Sequence, residues 1–137
     1  MVQVLAGLGD VNWPAVLVAA AVGFGLGAVW YAQPVFGRAW MRLTGISQDD
    51  PGGNIAVIMT LSFVTTLVAV AALALFVGAD AGLGTGALAG LVAGVGFAST
   101  AIVINALYES RPPALMAINA GYQVVVFVVA GAILGVW

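Results

Sequence analysis

NALYESRPPALMAINAGYQ, Asn105 to Gln123, is the densest run of polar and charged side chains in an otherwise apolar chain. Its reading decides the fold. Arg111 precedes Pro112, and a residue before proline is pushed out of helical geometry. Pro112 and Pro113 can then open a new helix, because the first turn tolerates a missing N–H. The stretch therefore reads as helix, tight turn, helix, and the long apolar runs on either side turn it into a hairpin of two membrane spans.

Composition points the same way. Of 137 residues, 64% are hydrophobic and 6% charged, and mean hydropathy is +1.19. Soluble domains carry about 25% charged residues, so a water-soluble globule is excluded. Three arginines (Arg38, Arg42, Arg111) face five acids. That leaves no basic patch able to follow a phosphate backbone, and nucleic acid is not expected as a partner. The chain has no Cys and no His. Thiol chemistry, zinc and haem sites and the usual general base are absent with them, so no cofactor, metal site or catalytic residue is expected.

A span needs about 20 mostly apolar residues. Four runs qualify, at approximately 13–31, 55–77, 82–107 and 114–137, within one transmembrane domain of residues 1–137. Asn12 caps the first and Pro14 sits in its first turn. No Lys or Arg precedes this apolar run, so it reads as a span and not as a cleaved signal peptide. Trp13, Trp30, Tyr31 and Trp40 read as interface anchors. Between the first two spans, Phe36, Ala39, Trp40 and Leu43 fall on one helical face and Arg38 and Arg42 on the other. Gly45 follows, and this is the pattern of a short interfacial amphipathic helix. SQDDPGGN, Ser47 to Asn54, reads as an exposed turn. The fold class is all-α, a four-helix transmembrane bundle with one interfacial helix after the first span.

Small residues recur every fourth position in two spans: Ala15, Ala19, Gly23, Gly27 in the first, and Gly82, Gly86, Gly90, Gly94 in the third. Such ladders let helix backbones approach closely. Gly121 lies on a similar face of the fourth. Spacing alone leaves open whether these faces meet each other or a second copy of the chain. Ser62, Thr65 and Thr66 share a face of the second span and read as a packing surface whose hydroxyls bond back to their own helix.

All three arginines fall in the connectors after the first and third spans, which share a side. The positive-inside rule puts that side in the cytoplasm and both termini outside. No ionisable residue lies in the middle of a span, which counts against proton-driven transport.

The candidate polar pocket is Asn105, Tyr108, Glu109, Arg111, Asn119, Tyr122 and Gln123. With regular helices, Asn105 shares a face with Gly94, Ala98 and Ala101. Asn119 lies about 9 Å beyond Pro113, at 1.5 Å per residue, and Asn105 lies at similar depth on the other arm. The hairpin would then gather two amides and two phenols under a Glu109–Arg111 mouth. Two readings stay open: hydrogen bonds that fix the hairpin's register, or a ligand or permeation site.

The segments NWPAVLVAAAVGFGLGAVWY, FGRAWM, NALYESRPPALMAINAGYQ and GAILGVW resemble the bacterial family catalogued as domain of unknown function 1761. The resemblance runs from Asn12 to Trp137. It implies a small four-span membrane protein without an assigned activity. It also implies histidine in many relatives directly after Gly121-Tyr122, where this chain has Gln123. The expectation is a non-enzymatic protein of the bacterial inner membrane. Its partners would be membrane lipids and either further copies of itself or another membrane protein, met through its glycine-rich faces. The alternative is a small-solute channel or carrier built on the polar cluster.

Overall fold

The computed structural model describes residues 5–47, 49–50 and 52–137. Gln48 and Pro51 of the expected turn lie outside them. A 3-10 turn, Gly7–Asp10, precedes α1, Trp13–Trp30. A π-helical turn, Gln33–Gly37, runs into α2, Arg38–Thr44. Then come α3, Ile55–Val77, α4, Leu83–Tyr108, and α5, Pro113–Val136. Among the described residues no strand forms, and four helices, α1, α3, α4 and α5, are long and apolar enough to cross a membrane.

The ends of these helices follow from single residues. The Asn12 side chain accepts from the Ala15 N–H at 3.1 Å, and Pro14 stands in the first turn of α1. Asn54 caps α3 in the same way, accepting from Ala56 and Val57 at 3.0 and 3.2 Å. Gly45 closes α2 with φ +76°, a left-handed conformation that glycine adopts without strain. The α4–α5 turn is tighter than its prolines alone require. Arg111 N–H donates to the Ala106 carbonyl and Ser110 N–H to Leu107. That is a Schellman closure, with Ser110 as its left-handed residue at φ 58°.

α1 carries no polar side chain and α3 only hydroxyls, as expected of helices immersed in lipid. α5 is the hub. It packs against α1, α3 and α4 and touches α2, whereas α1 and α4 make their main contacts with α3 and α5. The buried core lies toward the end of the bundle remote from the arginines. There Ala15, Val16, Ala19 and Ala20 of α1 meet Val70, Leu73 and Val77 of α3 and Ala130 and Leu134 of α5. At the arginine end α3 stands free: Ile55 to Ser62 are all exposed.

Both small-residue ladders are taken up inside the chain, and their glycines face α5. A Cβ on Gly86 would strike the Gly131 carbonyl and one on Gly90 the Phe127 carbonyl; on Gly94 it would lie 3.0 Å from Val124 Cα. The helices are close enough for a backbone hydrogen bond between them, Gly82 N–H to the Gly135 carbonyl at 2.9 Å. On the other flank Gly23 lies under Val126 and Gly27 under the Tyr122 hydroxyl. Ala15 and Ala19 are fully buried. Association of two copies through these glycines would require α5 to leave first.

α4 departs from regular geometry at Gly94–Ser99, which is π-helical. A π turn holds one extra residue, so everything beyond it is rotated by about 100° relative to a regular helix. The inward face of α4 runs through Gly86, Gly90 and Gly94, then Ser99, Ile102 and Ala106, in place of Ala98, Ala101 and Asn105.

Candidate functional site

At the arginine end the contact between α1 and α5 is built from aromatic rings and three hydrogen bonds. The Tyr31 hydroxyl donates to Asn119 Oδ1 at 2.8 Å, the Trp30 indole N–H to the Ile118 carbonyl at 3.0 Å, and the Tyr122 hydroxyl to the Gly23 carbonyl at 2.9 Å. Tyr31 and Tyr122 meet edge to face with centroids 5.3 Å apart. Phe36 and Trp40 extend the cluster, onto Trp30 at 4.7 Å and onto Tyr31 at 6.0 Å. Glycines make the room: a Cβ on Gly27 would lie 2.8 Å from the Tyr122 hydroxyl, and one on Gly121 3.2 Å from the Trp30 ring. Trp30, Tyr31 and Trp40 are partly buried here, while Trp13 at the other end of α1 is exposed. Buried tyrosine and tryptophan need a partner for their polar atom; α5 supplies one to Trp30 and Tyr31, and α1 supplies one to Tyr122. This junction is closed and self-satisfied.

Asn105 does not join it. The π turn carries Asn105 outward, where it is exposed, and none of the described hydrogen bonds links it to Asn119. Tyr108 is 90% exposed. Glu109 and Arg111 form an ion pair at 3.3 Å on the surface, of a kind worth about 0–1 kcal/mol. The seven expected pocket residues thus divide. Asn119 and Tyr122 tie α5 to α1. Asn105, Tyr108, Glu109 and Arg111 form an exposed rim at the α4–α5 turn. Gln123 lies elsewhere.

Gln123 opens into a cleft of about 170 Å³ between α3 and α5, lined by Thr65, Thr66, Ala69, Val70 and Leu73 on one wall and Tyr122, Gln123, Val126, Phe127 and Ala130 on the other. Thr65 follows the start of α3 by ten residues, as Gln123 follows the start of α5. Each therefore lies about 15 Å along its helix from the arginine end, at 1.5 Å per residue. No charged residue lines this cleft. None of the described hydrogen bonds engages the Gln123 amide, which is half-buried and open to the cleft. A second cleft, of about 360 Å³, lies between α3 and α4 and is lined by Phe76, Leu88, Val92, Phe97 and other apolar groups, with Thr85 its single polar side chain. Its chemistry suits lipid tails.

The polar side of the first cleft combines two faces that the sequence offers separately, Thr65–Thr66 on α3 and Tyr122–Gln123 on α5. Their equal depth, countable from Asn54 and Pro112, is the signal that joins them. Trp30 and Tyr31 as hydrogen-bonding partners of α5 are signalled by Gly27 and Gly121, small residues that leave space opposite large rings.

The family model described as "Protein of unknown function (DUF1761)" matches residues 14–135, and the chain belongs to that family, as its motifs indicate. No curated protein and no solved structure matches it.

Proposed function

We propose that this DUF1761 protein is a non-catalytic carrier for a small uncharged solute, seated in the bacterial cytoplasmic membrane. The observation behind this reading is Gln123, which lines the cleft across from Thr65 and Thr66 near the middle of two helices long enough to span a membrane. Polar groups held in hydrocarbon without a partner are expensive and mark substrate paths. The site lacks charge, which suits a neutral solute. The packed core around Val16, Ala20, Leu73 and Leu134 closes the bundle beyond the cleft. A dead-end site favours a carrier over an open pore. Arg38, Arg42 and Arg111 all follow helix ends on one side of the bundle, which supports a cytoplasmic connector side and periplasmic termini.

The test is uptake of labelled urea and glycerol by proteoliposomes. Wild-type protein is expected to exceed protein-free vesicles, with Gln123→Leu removing the excess. Uptake no faster than in empty vesicles would refute the carrier reading.

One observation favours association as a second role. The first two turns of α3, Ile55 to Ser62, are exposed on all sides, whereas the glycine faces are already filled. A second copy or another membrane protein would meet the chain along α3. Because the chain has no cysteine, Met59→Cys in native membranes tests this directly: a disulfide-linked dimer supports a homodimer seam, and a purely monomeric product under oxidant rejects it.

A further inference from the structure

The chemistry of the cleft narrows the ligand, given the reading that the cleft is a ligand site. A hydroxyl carries one proton and two lone pairs. The Thr65 proton is engaged by the Leu61 and Ser62 carbonyls at 2.9 and 3.0 Å, and the Thr66 proton by Ser62 at 2.7 Å. The Tyr122 proton is held by the Gly23 carbonyl at 2.9 Å. Each of these three oxygens can still accept, and none has a proton to offer. Only the Gln123 amide is free to donate, and it also accepts through its carbonyl. The polar wall therefore presents acceptors at Thr65, Thr66 and Gln123 against one donor group. A molecule that only accepts hydrogen bonds finds one partner there, while a molecule that donates finds several.

The rest of the cleft is apolar and lies on the side remote from the arginines, against Leu73, Phe127 and Ala130. Its volume of about 170 Å³ is close to that of an apolar cavity of about 150 Å³ that holds benzene. We infer that the α3–α5 cleft selects small neutral amphiphiles, about the size of a substituted benzene, that carry a hydroxyl or amide hydrogen-bond donor. The donor sits among Thr65, Thr66 and Gln123, and the apolar body lies against Leu73 and Phe127.

Phenol and anisole separate this from its alternatives, since they share a ring and an oxygen and differ by the donor. The readout is the side-chain amide resonance of Gln123 in the full-length protein, glutamine-labelled with ¹⁵N in lipid bicelles and assigned by its loss in Gln123→Leu. Phenol is expected to shift this resonance saturably, and anisole to need about tenfold more, the equivalent of one neutral hydrogen bond. Thr65→Val with Thr66→Val, which keeps side-chain shape, should bring the two ligands close to equal while leaving Tyr31 and Tyr122 resonances in place. Equal binding of both by wild type overturns the donor selectivity and leaves the cleft a ligand site. Shifts that rise linearly for both without saturation, as for partition into lipid, overturn the site and the carrier reading with it.

Discussion

Substituting Gly90 by alanine forces α4 and α5 apart. The new Cβ would lie 2.6 Å from the Phe127 carbonyl carbon and 2.9 Å from Val128 Cα, with the Phe127 oxygen closer still. These are backbone atoms and cannot swing aside. Ordinary contact begins at 3.4 Å, so the carbonyl carbon alone requires the two axes to part locally by about 0.8 Å, and its oxygen requires more. A gap of about 0.5–1 Å forfeits a quarter to a half of each dispersion contact along the seam, and overpacking of this kind costs about 1–3 kcal/mol. Gly96 is the internal control. It lies in the same helix, within the π turn, and a Cβ there meets nothing within 4 Å, so alanine adds no clash. Titrating the purified protein with sodium dodecyl sulfate should therefore unfold Gly90→Ala well before wild type, and Gly96→Ala with or after it. Gly86→Ala strikes the same seam at Gly131. The double variant should lose less than the two singles together, because one separation relieves both clashes. If Gly90→Ala and Gly96→Ala unfold at the same detergent fraction, the close α4–α5 approach is wrong.

Further outcomes are expected elsewhere. Asn119→Leu removes the Tyr31 bond and should cost about 0.6 kcal/mol, up to about 1.7, whereas Asn105→Leu should leave detergent stability unchanged; equal losses would return Asn105 to the junction. A Cβ on Gly37 would meet the Tyr31 carbonyl and lie 2.8 Å from the Ala32 carbonyl carbon, so Gly37→Ala should break the π turn and free α2. A red shift in tryptophan emission as Trp40 leaves Tyr31 reports it, and an unchanged spectrum contradicts it. A phosphatase fused after Trp137 should be active in the periplasm, and replacing Arg38, Arg42 and Arg111 with glutamate should weaken that orientation; an inactive wild-type fusion reverses the topology. The chain has no histidine and its cleft no charged group, so phenol binding should be flat between about pH 5 and 8. A slope would mean that a titrating group reaches the ligand.

The four spans and α2 were legible because each depends on run length, capping and the side on which arginines fall. Asn12, Pro14, Gly45 and the Pro112–Pro113 pair act locally, so neighbouring residues suffice to read them. The ladders were legible as close-packing faces but not as contacts with α5, since spacing describes one helix and not its neighbour. Gly131 and Gly135 held that information, as the complementary small residues on α5. The polar pocket was misjoined for a different reason. Wheel arithmetic on α4 assumes 100° per residue throughout, and the extra residue in Gly94–Ser99 resets the count, taking Asn105 out and bringing Ser99 in. The bond between Tyr31 and Asn119 spans 88 residues, and no local pattern encodes it.

α5 is the last of the four spans in chain order, yet it packs most extensively against the other three. Spans one to three therefore enter the bilayer before their common partner has been made. At about 5–20 residues per second, α5 follows Tyr108 by on the order of a few seconds. During that interval Gly86 and Gly90 face lipid or the insertion machinery, and Tyr31 and Trp30 have no acceptor from Asn119 or Ile118. Lesions in α5 should act first on survival: a nascent hairpin left with open glycine seams is a substrate for membrane proteases. The abundance of the protein in cells would then report on the α4–α5 seam before any solute does.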